Sequence, residues 1–255
     1  MRYVQVIFSP TGGTQKVADA VTEEWGNDID RIDLSDAGLD FSKIIFEESD
    51  IVLAAFPSYG GRVPELAAKR FRQVHGGHAQ CVIVCVYGNR AYEDTLVELQ
   101  DLAEACGFRV TAAIAAVAEH SIMRQYAAGR PDMQDVRELH DFAKKILEKL
   151  KGNNGTSHVL EIPGNRPYKK AGAVGLVPRA GKKCAECGLC AEVCPAQAIL
   201  KENIKTADAG KCISCMRCVS RCPEAARKVN GVMVSAAALA LKKACSEKKK
   251  NELFL

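Results

Sequence analysis

The sequence predicts an α/β fold with a doubly wound parallel sheet of five strands, in the order 2-1-3-4-5, joined to a smaller α+β domain. Two observations carry this prediction. Over the first 150 residues, apolar β-branched runs alternate with segments of helical periodicity, a pattern typical of βαβ units. Farther along, eight of the twelve cysteines lie between residues 184 and 222, and such clustering indicates metal or cluster ligation.

Five short apolar runs bounded by turn residues are predicted as strands. The first, RYVQVIF, is ended by Pro10 and by the pair Gly12-Gly13. The third, DIVLAAF, and the fourth, QCVIVCVY, are apolar runs without a break, which is typical of strands covered on both faces of a sheet. The predicted strands cover residues 2–8, 29–34, 50–56, 80–87 and 108–117.

Four helices are predicted between and after these strands. In the first, Val17, Ala18, Val21 and Trp25 recur at helical spacing. The second opens at Pro64, where proline is tolerated because the first turn of a helix leaves its N–H groups unpaired anyway. The last is the longest and is amphipathic. The predicted helices cover residues 13–25, 64–73, 94–105 and 131–149.

Composition and charge bound the domain organisation. The chain has 255 residues, 47% hydrophobic and 26% charged, which excludes a disordered or fibrous protein. We expect a first domain over 1–150 and a cysteine-rich domain with a C-terminal helix over 181–255. Between them, 151–180 reads as a connector that packs on another part of the chain, since it contains Val159, Leu160 and Ile162.

Acidic residues exceed basic ones in the first domain, and basic residues exceed acidic ones in the second. Two interpretations stay open: independently solvated domains, or halves that dock through complementary charge. No apolar run approaches the roughly 18 residues of a membrane span. The N-terminus also lacks a signal peptide. We therefore expect a cytoplasmic protein, and the last lysines read as a solvated helix end.

Two cysteine runs share the spacing C-x2-C-x2-C-x3-C-P. The first run is Cys184, Cys187, Cys190 and Cys194, and the second is Cys212, Cys215, Cys218 and Cys222. This spacing is the signature of proteins that bind two [4Fe–4S] clusters. The alternative is a pair of zinc sites, which explains neither the third cysteine at the same spacing nor the repeated Cys-Pro.

Residues 182–229 resemble the bacterial-type two-cluster ferredoxins. In that signature the fourth cysteine of each run reaches the other cluster. The resemblance therefore implies one cluster on Cys184, Cys187, Cys190 and Cys222. It implies a second on Cys212, Cys215, Cys218 and Cys194. The second run departs from many acidic relatives by its basic neighbours, Arg217, Arg221, Arg227 and Lys228.

Three loops follow predicted strands and carry glycine, hydroxyl or aromatic side chains. They are Ser9, Thr11, Gly12, Gly13 and Thr14; then Pro57, Ser58, Tyr59, Gly60 and Gly61; then Tyr87, Gly88, Asn89, Arg90 and Tyr92. The first leads into a helix N-terminus, which favours an anion such as phosphate. It has neither the lysine of a P-loop nor the GxGxxG of a dinucleotide fold. All three lie where doubly wound sheets bind ligands.

These loops resemble those of flavodoxin-like FMN domains, and Gly-Asn-Arg resembles a loop of the flavodoxin-like activator of ribonucleotide reductase. The whole chain resembles the flavodoxin–ferredoxin fusion proteins of anaerobic bacteria and archaea. The resemblance implies FMN, with its phosphate on 11–14 and its ring between Tyr59 and either Tyr87 or Tyr92. Backbone amides at 60–61 and 88–90 would face the ring's polar edge. The alternative is a flavodoxin fold that has lost its flavin.

Three functions remain open. The first is an electron carrier with FMN and two [4Fe–4S] clusters that couples one-electron and two-electron partners. The second is a flavin-dependent iron–sulfur reductase of a small molecule, with Arg62, Arg90 and His120 near the ring. The third is a non-redox scaffold or metal-storage module. No residue is predicted as a catalytic acid, base or nucleophile. Redox proteins are the expected partners, with no nucleic acid, and a homodimer stays open.

Overall fold

The computed structural model describes residues 2–152, 160–172 and 175–255. Its main sheet contains five parallel strands in the order β2-β1-β3-β4-β5, which confirms the predicted flavodoxin-like order. The strands are β1 (Tyr3–Ile7), β2 (Ile29–Asp33), β3 (Ile51–Pro57), β4 (Gln80–Tyr87) and β5 (Arg109–Val117). They match the predicted runs to within two residues at every end.

Four helices cover the two faces of this sheet. They are α1 (Gly13–Thr22), α2 (Glu65–Phe71), α3 (Thr95–Ala105) and α4 (Met133–Gly152). Helices α2 and α3 pack on one face and α1 and α4 on the other, so that each face has its own apolar core. Along β3, Val52 and Phe56 belong to the first core and Leu53 to the second, which is why this strand is apolar without a break.

The parallel register brings the carboxyl ends of the central strands to one edge. Ile7 of β1 lies opposite Ala55 of β3, and Val86 of β4 lies opposite both Pro57 and Ala116. The loops that follow β1, β3, β4 and β5 therefore emerge side by side, at the end of the sheet where doubly wound folds bind ligands.

The cysteine-rich domain is small and has little regular structure. Two short antiparallel strands and three helices are present, and they are β6 (Arg179–Ala180), α5 (Leu189–Glu192), α6 (Arg217–Ser220), β7 (Arg227–Lys228) and α7 (Gly231–Leu241). Its core contains Cys190, Cys194 and Cys218 together with Ala198 and Ile199. Ligand cysteines thus supply much of the interior.

The C-terminal tail corrects one expectation. It is not a solvated helix end, because β8 (Glu252–Phe254) pairs antiparallel with β5 and adds a sixth strand to the main sheet. Leu253 packs toward one core of the sheet and Phe254 toward the other. Two consecutive apolar residues therefore half-bury this strand, one on each face of the sheet, although its three residues are too few to give a strand signal.

The connector packs on the first domain, as predicted. Leu160 is buried in the first core, and Asp94 accepts hydrogen bonds from the backbone N–H groups of Asn165 and Lys169. Arg166 pairs with Asp101 on α3. Residues 153–159, among them Val159, and 173–174 lie outside the described residues.

The two domains contact each other through polar groups. Arg217 of α6 lies 3.4 Å from the carboxylate of Asp33 and 3.4 Å from the carbonyl oxygen of Ser9. Arg70 of α2 donates to the carbonyl oxygen of Pro195 at 2.7 Å. A basic group of the second domain thus meets an acidic group of the first. Within the part of the chain that the structure describes, no helix is both long and apolar enough to cross a membrane.

Candidate functional site

A cavity of about 490 Å³ opens at the carboxyl ends of β1, β3, β4 and β5. We call it the sheet-edge cavity. Its volume lies within the ~300–1,000 Å³ usual for small-molecule and cofactor sites. Of the predicted loop residues, ten line it: Thr11, Gly13, Thr14, Pro57, Ser58, Tyr59, Gly60, Tyr87, Gly88 and Arg90.

One end of the cavity is formed by the start of α1. Gly12 has φ +94°, a left-handed conformation that turns the chain from β1 into the helix. Ser9 does not line the cavity; its Oγ accepts a hydrogen bond from the backbone N–H of Gln15 and fixes the loop. In the described residues the N–H groups of Gly13 and Thr14 have no acceptor. These free donors at a helix N-terminus fit a phosphate group.

The opposite wall comes from the loop after β3. Tyr59 and Arg62 exchange backbone hydrogen bonds around Gly60 and Gly61, whose φ values of +62° and +85° form a tight turn. The turn presents Tyr59 to the cavity, whereas Gly61 lies behind the wall, against the side chain of Glu93. Burial and the neighbouring Cys215 raise the pKa of the Tyr59 hydroxyl, so this ring is neutral.

Some residues of the loop after β4 line the cavity, and others bind the C-terminal tail. Tyr87 and Gly88 line the cavity, but Asn89 and Tyr92 do not, although the sequence places them in the same loop. The amide of Asn89 donates to the carbonyls of Cys245 and Glu247 and accepts from the N–H of Lys249. Tyr92 donates to Glu252 at 2.8 Å. These two side chains hold the C-terminal tail, which leaves Tyr87 as the second aromatic ring of the cavity.

Of the residues expected near the ring in a reductase, His120 and Arg90 line the cavity, whereas Arg62 does not. The Nδ1 of His120 accepts hydrogen bonds from the N–H groups of Ile122 and Met123, so a neutral ring carries its proton on Nε2. Burial and Arg90 lower the pKa of His120. A Cβ at Gly88 would lie 2.7 Å from this ring, which explains why glycine stands there.

The roof of the cavity comes from the second domain and the connector. The residues that close it are Leu176, Ser214, Met233, Ala237, Ala240 and Leu241. The last four belong to α7, whose sequence GVMVSAAALAL is apolar although the helix lies at the surface. The apolar composition of this segment was the signal that the sequence offered for the roof.

A second cavity is lined by four cysteines from both runs. They are Cys194, Cys212, Cys215 and Cys218, which we call the proximal set. The structure thus brings the fourth cysteine of the first run to the first three of the second run, as the spacing predicts. Burial raises the pKa of Cys215 to about 12 and that of Cys218 to about 11. Iron fits such a site, because it replaces the thiol proton where a bare thiolate is unfavourable.

The other four cysteines, Cys184, Cys187, Cys190 and Cys222, form the distal set. Cys190 is buried against Cys194 and Cys218, and Cys187 is exposed. Across residues 2–152, 160–172 and 175–255, no three His, Cys, Asp or Glu side chains are grouped so as to hold a single metal ion.

A buried cation lies among these cysteines. Arg227 is 1% exposed, and its Nη1 lies 3.4 Å from the sulfur of Cys190. Its other acceptors are backbone carbonyls, and no carboxylate of a described residue pairs with it. A buried charge needs a counter-charge. A [4Fe–4S] cluster with four thiolates is anionic, so Arg227 fits the group that the cysteine spacing predicts.

The two cavities share a wall. Ser214 lines the sheet-edge cavity, while the next residue, Cys215, lines the cysteine cavity. Tyr59 lies on the other side of this wall, close enough to Cys215 that the cysteine raises the pKa of the Tyr59 hydroxyl. Ser214, Cys215 and Tyr59 thus lie where the two cavities are adjacent.

Comparison with known proteins agrees with the cysteine pattern. Residues 183–227 match the family described as 4Fe-4S dicluster domain. Among curated proteins, none is significantly similar to this chain.

Solved flavodoxins align with the first domain. Streptococcus pneumonia TIGR4 flavodoxin is 21% identical, with a TM-score of 0.41, and the match covers 58% of this chain and 99% of that one. Two-electron reduced Megasphaera elsdenii flavodoxin is 17% identical, with a TM-score of 0.38, and the match covers 56% and 98%. A flavodoxin from the domain Archaea is 14% identical, with a TM-score of 0.40 and coverage of 59% and 99%. The fold assignment itself rests on the strand order described above.

Proposed function

We propose that this chain is an electron-transfer protein that relays electrons between two [4Fe–4S] clusters and a bound FMN, coupling one-electron and two-electron redox partners. The wall shared by the two cavities is the observation that carries the proposal, because electron transfer requires that the cofactors lie close together. Bound FMN supplies the ability to exchange one or two electrons, whereas each cluster exchanges one at a time.

The residues divide the binding of FMN between them. The first turn of α1, with Thr11 and Thr14, holds the phosphate through backbone N–H groups and hydroxyls. Tyr59 and Tyr87 supply aromatic surface for the ring system. Backbone amides at Gly60 and Gly88, at the cavity wall, are available to its polar edge.

The two cysteine sets lie in different surroundings, and this difference gives their order in the proposed relay. The proximal set borders the sheet-edge cavity through Cys215. The distal set includes the exposed Cys187 and therefore faces external partners. With clusters in both sets, the distal cysteines would hold the one nearer to an outside redox protein and the proximal cysteines the one nearer to the shared wall, and each cluster would supply one-electron exchange.

The roof favours a carrier over a reductase of a small molecule. Apart from Ser214, the roof covers the cavity with side chains that offer no hydrogen-bonding groups to a polar substrate, among them Leu176, Met233 and Leu241. A carrier needs only the cofactors enclosed and one cluster accessible. Redox proteins are accordingly the proposed partners.

Cofactor stoichiometry tests the proposal directly. The protein is purified anaerobically, its absorption spectrum is recorded, and released flavin and iron are quantified on the same sample. We expect one FMN and about eight irons per chain, as two [4Fe–4S] clusters require. Eight irons without flavin, even after incubation with excess FMN, would contradict the relay and leave a ferredoxin domain beside an empty flavodoxin-like fold.

A further inference from the structure

Arg227 and Lys228 are neighbours in β7 but point to opposite sides. Successive side chains of a strand alternate between its faces. Ala180 of β6 pairs with Arg227, whose side chain turns into the domain and is buried, while that of Lys228 is exposed. The same charge is therefore placed once among the cysteines and once in water.

The guanidinium of Arg227 is held by a fixed set of acceptors. Nη1 donates to the carbonyl oxygen of Ile204 at 2.5 Å, and Nη2 to those of Pro178 and Thr206 at 3.1 and 3.3 Å. Nη1 also lies 3.4 Å from the Cys190 sulfur. The carbonyl groups orient the planar guanidinium but carry no net charge. No carboxylate of the described residues neutralises it. Its positive charge therefore acts on the cysteines of the distal set.

We infer that Arg227 raises the reduction potential of the distal cluster, the one that Cys190 ligates. One-electron reduction adds one negative charge to the cluster and removes nothing from it. A buried cation that donates to a ligand sulfur stabilises this added charge, and in the interior it is little screened by water or salt. Cys190 also packs against Cys218, so the proximal cluster feels the same charge, but the hydrogen bond from Arg227 goes to Cys190 of the distal set.

This inference rests on the proposed function, since it requires clusters in both cysteine sets. Its consequence is an asymmetry between two clusters with identical ligand spacing. The distal cluster, which faces outside partners, would be the easier one to reduce and would hold the electron between encounters.

The experiment compares Arg227→Gln with Lys228→Gln, which removes the same charge from the exposed neighbour. Both full-length proteins and the wild type are titrated potentiometrically with detection by EPR, and iron content is measured on each sample. The distal signal is identified as the one lost in Cys190→Ala. We expect Arg227→Gln to lower the distal midpoint potential, to lower the proximal one less, and to leave iron content unchanged. Lys228→Gln should leave both potentials at their wild-type values.

Several results would overturn the inference. One is an unchanged distal potential in Arg227→Gln with all irons retained; another is an equal shift in Lys228→Gln. Where Arg227→Gln fails to retain its clusters, Arg227→Lys decides, because it keeps the charge but loses the planar fork. Its clusters should be retained and its distal potential should stay near the wild-type value. A large fall in that potential with the charge still in place would contradict the inference. A wild type without iron would instead refute the proposed function itself, which separates the two failures.

Discussion

Tyr59 occupies the wall between the sheet-edge cavity and Cys215, so in the proposed relay one ring would contact the cofactor and also separate it from the cysteines. Replacing it by alanine removes aromatic surface that stacking would use. We expect Tyr59→Ala to weaken FMN binding by about 1 kcal/mol or more, in line with the value of an aromatic pair beyond its buried area.

Quenching of FMN fluorescence on titration with protein measures this affinity. Tyr168→Ala is the matched control, because Tyr168 lies beside Arg62 and Asp101, away from the cavity. An unchanged dissociation constant in Tyr59→Ala would remove this residue from the site.

His120 gives the cavity a defined response to acid. Because burial and Arg90 lower its pKa, the folded chain resists a proton that the unfolded chain binds at about pH 6.5. The contribution of this group to stability is therefore complete above about pH 6.5 and is lost as the pH falls below it. We expect His120→Asn, which keeps an acceptor near the position of Nδ1, to lose less stability on acidification than the wild type.

Urea unfolding at about pH 7.5 and about pH 5.5 measures that difference. His78→Asn serves for comparison, since His78 is an exposed loop residue with a left-handed φ of +62° that asparagine tolerates. Equal acid-induced losses in His120→Asn and the wild type would show that His120 does not contribute.

At the scale of elements, the C-terminal strand depends on one buried side chain. Asn251 accepts a hydrogen bond from the N–H of Val117 at the end of β5. Its amide donates to Asp135 and Glu138 of α4. We expect Asn251→Ala to destabilise the first domain by about 1–3 kcal/mol, because it leaves a buried N–H and a buried carboxylate short of a partner.

Chemical denaturation monitored by the single tryptophan, Trp25, measures this loss in the core beneath α1. Lys250→Ala changes the exposed residue before Asn251 and should leave the unfolding free energy within about 0.5 kcal/mol of the wild type. A similar value for Asn251→Ala would mean that β8 is not held by this side chain.

Strand β8 also shows which part of the fold could not be predicted from the sequence. The five parallel strands and their order could be predicted, because each is an apolar run between turn residues and all but the second are followed by a helix of adequate length. Strand β8 could not, because its three residues pair with a strand more than 130 positions earlier and follow a run of lysines. Its stability comes from that distant pairing and not from its own composition.

The candidate site divides in the same way. Cysteine spacing predicts which four thiols share a cavity in the proximal set, because the motif encodes the crossing of the two runs. Loop positions predict most of one side of the sheet-edge cavity. The roof depends on how α7 and Ser214 dock over the sheet, and Asn89 and Tyr92 are drawn away by the tail. The docking of α7 and the contacts of Asn89 and Tyr92 with the tail join residues that are far apart in the sequence, so no local sequence pattern predicts them.

On the scale of the whole molecule, the sheet-edge cavity and the cysteine cavity meet at two consecutive residues, Ser214 and Cys215. Ser214 closes the sheet-edge cavity, and its position depends on Cys215, which belongs to a loop of the cluster domain. Cluster binding supplies folding energy in so small a domain. We therefore expect Cys215→Ala to lose the proximal cluster and, with it, the ordered wall of the neighbouring cavity.

The quantity to measure is the affinity of Cys215→Ala for FMN. It should weaken although Cys215 is not one of the residues predicted to bind the phosphate. We expect its dissociation constant to rise about tenfold, equivalent to ~1.4 kcal/mol. Iron content should fall from about eight per chain to about four or fewer. Cys106→Ala is the matched control, because Cys106 donates to the carbonyl oxygen of Phe71 and lines neither cavity. Loss of iron with wild-type FMN affinity would show that the two sites are built independently, so that the shared wall conducts electrons without coupling the binding of the cofactors.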